Sequence, residues 1–122
     1  MAPTPAPVLH GIPNCDTVKR ARAWLDDQGV AYAFHDFKKA GVPADRLDRW
    51  LAGVGWEKLL NRQGTTWRKL DDAAKAAVTD AASARALVLA QPSVVKRPVV
   101  DWPDGQTTVG FDAALFAARL GR

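Results

Sequence analysis

The residue best suited to chemistry in this sequence is Cys15, the only cysteine in the chain. It lies between a short apolar run, Val8 to Ile12, and a stretch beginning at Asp16 whose apolar residues recur at helical spacing. The run predicts a buried strand and the spacing predicts a helix, so Cys15 occupies the turn at the helix N-terminus. Unpaired N–H groups and the helix dipole stabilise an anion there. This context favours a reactive thiolate over the inert buried thiol that lone cysteines commonly provide.

The spacing around Cys15 argues against two familiar thiol motifs. A phosphatase of the Cys-x5-Arg type needs arginine six residues after the nucleophile, and that position is Ala21. A dithiol Cys-x-x-Cys motif needs a second cysteine at position 18, which is Val18. A Cys–His pair with His10 or His35 is conceivable, but we interpret both histidines as structural or surface residues.

The elements that position Cys15 follow the order of a thioredoxin layout. A strand at Val8 to Ile12, a helix from Asp16 to Gln28, capped by Asp16 or Thr17, and a strand from Val30 to Phe37 predict a parallel βαβ unit. A turn at Lys38 to Gly41 and a helical insertion at about 42–90 come next. The fold class is therefore α/β, a thioredoxin-like (glutaredoxin-like) β-α-β…β-β-α core with a helical insertion.

The C-terminal part supplies the remaining strands. Val99 to Asp101 and Thr107 to Val109 flank the turn signal Pro103-Asp104-Gly105 and predict a hairpin. A terminal helix is predicted over Gly110 to Leu120, carrying three apolar residues: Ala114, Leu115 and Ala118.

Arg97-Pro98 stands directly before the third strand, where thioredoxin-like proteins have a cis-proline. A cis bond leaves the preceding backbone N–H and C=O free to pair with an extended ligand beside the thiol. Arg97 would then project near Cys15 and bind a thiolate or an anionic substrate through charge-assisted hydrogen bonds. The alternatives are a trans proline at an edge strand and a solvated surface arginine.

Composition indicates one soluble domain over residues 8–120, preceded by a disordered, proline-rich lead-in at 1–7 that is not a signal peptide. The net charge of +4 is carried by scattered basic residues, which does not indicate direct binding of nucleic acid. No apolar stretch is long enough for a membrane span. One cysteine and two histidines, far apart in sequence, make a metal site unexpected. The single cysteine, which excludes an internal disulfide, favours a reducing compartment. We expect a cytoplasmic monomer.

Three separated motifs resemble the ArsC/Spx family, in its YffB-like subgroup, and the resemblance covers Val8 to Leu120. They are Gly11 to Thr17, Leu60 to Trp67 and Pro92 to Val100. The resemblance implies a glutathione-dependent thiol reductase, with glutathione as co-substrate and no metal. It implies Cys15 as the nucleophile acting on a glutathione-mixed disulfide or a small oxyanion. The residues expected to bind the substrate are Asn14, Thr17, Arg62, Arg97 and Pro98.

The chain departs from the arsenate reductases of this family at several positions. They carry histidine four residues before the cysteine, where this chain has Gly11, and they use three arginines around the oxyanion. Arg97 matches one of these arginines, the second position falls on Asn61 beside Arg62, and the third falls near Gly110. The departures weaken an arsenate assignment without affecting the thiol chemistry. The alternative is an Spx-like, non-enzymatic regulator that binds RNA polymerase, although such regulators usually switch through a Cys-x-x-Cys motif.

Overall fold

The computed structural model describes residues 6–122, so most of the predicted lead-in at 1–7 lies outside the described residues. Pro7 is buried, and its carbonyl accepts a hydrogen bond from the N–H of Ala33 at 3.0 Å. The chain divides into two compact units. The core unit consists of the residues up to Asp36 together with Arg97–Arg122, and the insertion unit is Phe37–Lys96. The insertion unit is thus wider than the predicted 42–90.

The core unit contains a four-stranded sheet and two helices. Its elements are β1 (Val8–Gly11), α1 (Asp16–Asp27), β2 (Ala33–Asp36), β3 (Val99–Asp101), β4 (Thr107–Val109) and α8 (Ala113–Arg119). The strand order is β2-β1-β3-β4, with β1 parallel to β2 and antiparallel to β3, and with β3 antiparallel to β4. This order confirms the predicted thioredoxin-like core and its parallel βαβ unit.

The hydrophobic core of this unit packs α1 and α8 against one face of the sheet. Leu9, Leu25, Val100 and Phe116 are buried there, and the ring of Phe116 meets that of Trp102 edge-on at 5.2 Å between centroids. The residues that the sequence analysis names on the last helix, Ala114, Leu115 and Ala118, are exposed, and Phe116 is its buried side chain. Asp112 caps α8 by accepting a hydrogen bond from the N–H of Leu115, so the helix begins three residues later than predicted.

The insertion unit is helical. Its elements are α2 (Phe37–Ala40), α3 (Ala44–Val54), α4 (Trp56–Leu59), α5 (Thr65–Arg68), α6 (Asp72–Ala76) and α7 (Ala81–Ala90), followed by a 3-10 turn at Pro92–Val94. Two predictions at its start need correction. The second strand ends at Asp36, and Lys38–Ala40 belongs to a short helix rather than a turn, because Phe37 is buried and begins α2.

Candidate active site

Cys15 is the N-cap residue of α1. Its N–H donates to the carbonyl of Ile12 at 3.3 Å, and its own carbonyl accepts the first helical hydrogen bond from Lys19 at 2.9 Å. The prediction that Asp16 or Thr17 caps this helix is therefore wrong, since the turn from Ile12 ends at Cys15 and leaves both residues inside the first helical turn. The side chain of Cys15 is half-buried and that of Asp16 is exposed. A partly accessible thiol thus lies at the positive end of α1.

The electrostatic surroundings of Cys15 favour the thiolate. Burial raises the pKa of the thiol, but the backbone N–H of Val18, the guanidinium of Arg97 and the N–H of Thr17 lower it, and the net pKa is below the ordinary value. Arg97 acts both as a hydrogen-bond donor to the sulfur and through its charge. This arrangement is typical of an activated cysteine.

Arg97 and Pro98 immediately precede β3. The Arg97–Pro98 peptide bond is cis, which confirms the prediction made from its place before the third strand. Pro98 is buried and Arg97 is half-buried, so the arginine is not the solvated surface residue of the alternative interpretation. Its interaction with the sulfur of Cys15 brings two of the predicted site residues together.

Asn14 and Thr17 flank Cys15 in sequence and differ in exposure. Asn14 lies on the turn between β1 and α1 and is exposed, whereas Thr17 lies in the first turn of α1 and is half-buried. The backbone N–H of Thr17 lowers the thiol pKa, as expected of an unpaired N–H group at a helix N-terminus. Binding of substrate by either residue stays a prediction.

Arg62 belongs to the insertion unit and lies on the loop between α4 and α5. Its side chain is half exposed, with Nη2 at 3.8 Å from Oε2 of Glu57 and the guanidinium carbon 6.0 Å from the ring centroid of Trp56. The polar loop is closed by a hydrogen bond from the N–H of Asn61 to the carbonyl of Val94 at 2.8 Å. Arg62 is therefore available to solvent within its unit, and its role at the substrate stays a prediction.

A buried polar pair on the sheet was not predicted. Nε2 of His10 lies 2.8 Å from Oδ2 of Asp101, and Oδ1 of Asp101 accepts a hydrogen bond from the hydroxyl of Thr107 at 3.2 Å. The ring of His35 lies 5.2 Å from that of His10 between centroids. His10 is almost fully buried, which agrees with its interpretation as a structural residue. Ninety-one positions separate it from Asp101, so only the antiparallel register of β1 and β3 reveals the pair.

Two further observations concern metal ions and membranes. Within residues 6–122, no three side chains of the His, Cys, Asp or Glu type gather closely enough to hold a metal ion. Over the same range, no helix has the length and apolar character that a membrane crossing requires.

Comparison with known proteins finds a matching family and similar solved structures. The model of the ArsC family matches residues 10–118. A solved structure called YFFB (PA3664) protein is 53% identical, covers 94% of this chain and 99% of its own, and superimposes with a TM-score of 0.88. The solution structure of an arsenate reductase (ArsC) related protein from Brucella melitensis is 51% identical over the whole of both chains, with a TM-score of 0.75.

A relative of a different kind is also similar. The global transcriptional regulator Spx of Streptococcus mutans is 26% identical over 113 residues, which cover 90% of this chain and 80% of that protein. The predicted resemblance to the ArsC/Spx family and the predicted fold are thereby confirmed.

Proposed function

This chain belongs to the ArsC family, and from that premise we propose that it is a glutathione-dependent thiol oxidoreductase with Cys15 as its single nucleophile. The observation that carries the proposal is the position of Cys15 at the N-terminus of α1 beside Arg97, with a thiol pKa below the ordinary value. A larger thiolate fraction at neutral pH speeds attack on a disulfide sulfur. The relative named as related to an arsenate reductase supports reductase chemistry of this kind.

The proposed reaction has two thiol–disulfide exchanges. In the first, the thiolate of Cys15 attacks the glutathione sulfur of a mixed disulfide, which forms a Cys15–glutathione disulfide and releases the substrate as a thiolate. In the second, the thiolate of a free glutathione attacks the glutathione sulfur bound to Cys15. This step releases oxidised glutathione and restores the Cys15 thiolate. The net change is reduction of one mixed disulfide by one free glutathione, which leaves joined to the glutathione of the substrate as oxidised glutathione, with no need for a second cysteine in the chain.

The anionic parts of the substrate need cationic and polar partners. Arg97 donates hydrogen bonds from a planar guanidinium, which suits a carboxylate or an oxyanion. We propose Arg62 as a second cationic contact, with Asn14, Thr17 and Pro98 bordering the substrate. Glutathione fits such a site because it carries two carboxylates, and its abundance in the cytoplasm fits the reducing compartment that one cysteine favours.

Turnover of a glutathionylated substrate tests this proposal. The wild-type protein is supplied with excess glutathione and a peptide–glutathione mixed disulfide, and the released peptide thiol is measured alongside Cys15→Ser. We expect catalysis by the wild type and only the uncatalysed rate with Cys15→Ser, because the hydroxyl of serine is not ionised near neutral pH. Equal rates for the wild type and Cys15→Ser would contradict the proposal that Cys15 is the nucleophile.

A second candidate function rests on the similarity to the transcriptional regulator Spx. In this case the chain would act as a non-enzymatic module that binds RNA polymerase. Capture of purified polymerase by both the wild type and Cys15→Ser, without turnover by either, would favour the module. Turnover that requires Cys15, without capture, would favour the enzyme.

A further inference from the structure

Gly11, the last residue of β1, is in unusually close contact with α1. A Cβ atom built on Gly11 would lie 2.8 Å from Cγ2 of Val18 and 3.5 Å from its Cγ1. The next neighbour, Cε2 of Phe34, is at 3.8 Å, an ordinary contact distance. Any side chain at position 11 would therefore bring its Cβ too close to Cγ2 of Val18.

The backbone of Gly11 does not explain why the residue is glycine. Six other glycines in the described chain have a positive φ, but Gly11 is not among them. Its strand conformation is open to any residue, since Gly11 pairs with Asp36 in the parallel ladder of β1 and β2. The close approach of Val18 is thus the feature that requires glycine here.

Val18 cannot yield easily to a larger residue at position 11. Its side chain is completely buried, and a β-branched side chain in a helix has essentially one χ1 rotamer. Carbon atoms in contact lie about 3.5–4.0 Å apart, so relief of the clash needs a shift of at least about half an ångström in α1 or β1. Such a shift moves the backbone of Val18 together with its side chain.

We propose that Gly11 is a positioning residue: because it has no Cβ, the side chain of Val18 has room beside β1, and α1 keeps the position in which the backbone N–H of Val18 lies against the sulfur of Cys15. The inference rests on the proposed function of Cys15 as the nucleophile. Val18 links Gly11 to Cys15, because the same residue supplies the packing contact with Gly11 and the backbone donor that acts most strongly to favour the thiolate.

The test is the pH dependence of alkylation of Cys15 by iodoacetamide, which needs no substrate. Four proteins are compared: the wild type, Gly11→Ala, Val18→Ala and the double variant Gly11→Ala/Val18→Ala. We expect Gly11→Ala to raise the midpoint by roughly one pH unit, so that alkylation well below the midpoint slows about tenfold. Val18→Ala keeps its N–H and should have a midpoint near that of the wild type. The midpoint of the double variant should equal that of the wild type, because the Cβ at position 11 has room once the side chain at position 18 is shortened.

A control separates this effect from a general loss of stability. Leu25→Ala removes a fully buried side chain two turns further along α1, so it should lower the melting temperature while leaving the midpoint unchanged. An unchanged midpoint in folded Gly11→Ala overturns the inference, as does a double variant whose midpoint stays raised. If Gly11→Ala does not fold, the decision passes to the double variant, which must fold and keep the wild-type midpoint.

The outcomes also distinguish this inference from the proposed function. A wild-type midpoint at or above that of a free thiol would contradict the proposed function, in which Cys15 is an activated nucleophile. A lowered wild-type midpoint that Gly11→Ala leaves unchanged would overturn the role of Gly11 alone.

Discussion

Replacing Arg97 tests how the thiolate of Cys15 is stabilised, because Arg97 acts on the sulfur through both a hydrogen bond and its charge. Arg97→Ala removes both contributions and leaves the N–H groups of Val18 and Thr17 to oppose the effect of burial. Arg97→Lys keeps the charge but not the planar arrangement of donors. We therefore expect the thiol pKa to rise in both variants, and to rise further with alanine.

The magnitude follows from the exposure of the pair. A hydrogen bond to a charged group contributes about 1.5–3 kcal/mol. Cys15 and Arg97 are both half-buried, and solvent screening reduces the interaction of such groups to about 1 kcal/mol. A loss of about 1 kcal/mol of thiolate stabilisation corresponds to a roughly fivefold slower alkylation of Arg97→Ala well below the midpoint. Arg97→Lys should show a smaller loss, because the charge remains and the paired donors do not.

Two assays on the same three proteins measure this prediction. Alkylation rates across the pH range give the thiol pKa, and kcat/KM with a glutathione-mixed disulfide gives the effect on turnover, with thermal melts as the control for folding. The expected order for kcat/KM is wild type, Arg97→Lys, Arg97→Ala. Three equal midpoints with three equal values of kcat/KM would refute the role of Arg97 and leave the backbone N–H groups as the thiolate's stabilising partners.

Three further predictions follow from the site and the core. The resemblance places only one of the three arginines of arsenate reductases in this chain, so arsenate should be a poor substrate beside a glutathione-mixed disulfide, with kcat/KM about a hundredfold or more below that of a reductase that has all three; arsenate turnover matching that of such a reductase would contradict this. A lowered thiol pKa stabilises the folded state fully above the unfolded thiol value of about 8.5, and that stabilisation is lost as the pH falls through the folded pKa. The free energy of unfolding of the wild type relative to Cys15→Ala, from urea titrations, should therefore increase from pH 6 to pH 9, and a constant difference would argue against an activated thiol. Phe116→Ala should lower the free energy of unfolding by about 3–5 kcal/mol because the ring is fully buried, whereas Leu115→Ala, at an exposed neighbour, should change it by under about 0.5 kcal/mol; similar losses for both would contradict the packing of α8.

Local patterns in the sequence were sufficient for the strands and for the position of the cysteine. The apolar run at β1 and the helical spacing after Asp16 are short-range signals, and both elements form where these signals predict them. The chain between β1 and β2 is long enough for a crossover and contains a helix, so the parallel pairing could also be predicted. The cis bond at Pro98 was predicted from its place before β3.

Errors arose where the start of a helix depends on a capping residue. The terminal helix was predicted from Gly110, but Asp112 caps α8 and its first residue is Ala113. Which side of α8 faces the core depends on how the helix packs on the sheet, and the structure buries Phe116 and exposes Leu115. Periodicity alone does not fix that starting point.

Two contacts between distant residues could not be predicted from local patterns. The pair of His10 and Asp101 depends on the register of β1 and β3, which no local pattern encodes. The packing of Val18 on Gly11 likewise depends on how α1 crosses β1, although the sequence contained the clue of a glycine at the end of an apolar strand. The approach of Arg97 to Cys15, by contrast, was predicted from the place of Arg97 before the third strand.

The most direct test of the account is to isolate the proposed intermediate on Cys15. The wild type is mixed with one equivalent of a peptide–glutathione mixed disulfide in the absence of free glutathione, and the intact protein is examined by mass spectrometry. We predict one bound glutathione on Cys15, one equivalent of released peptide thiol, and loss of the adduct as oxidised glutathione when glutathione is added. A wild type that gains no glutathione, or that releases no more peptide thiol than Cys15→Ser, would contradict the central claim.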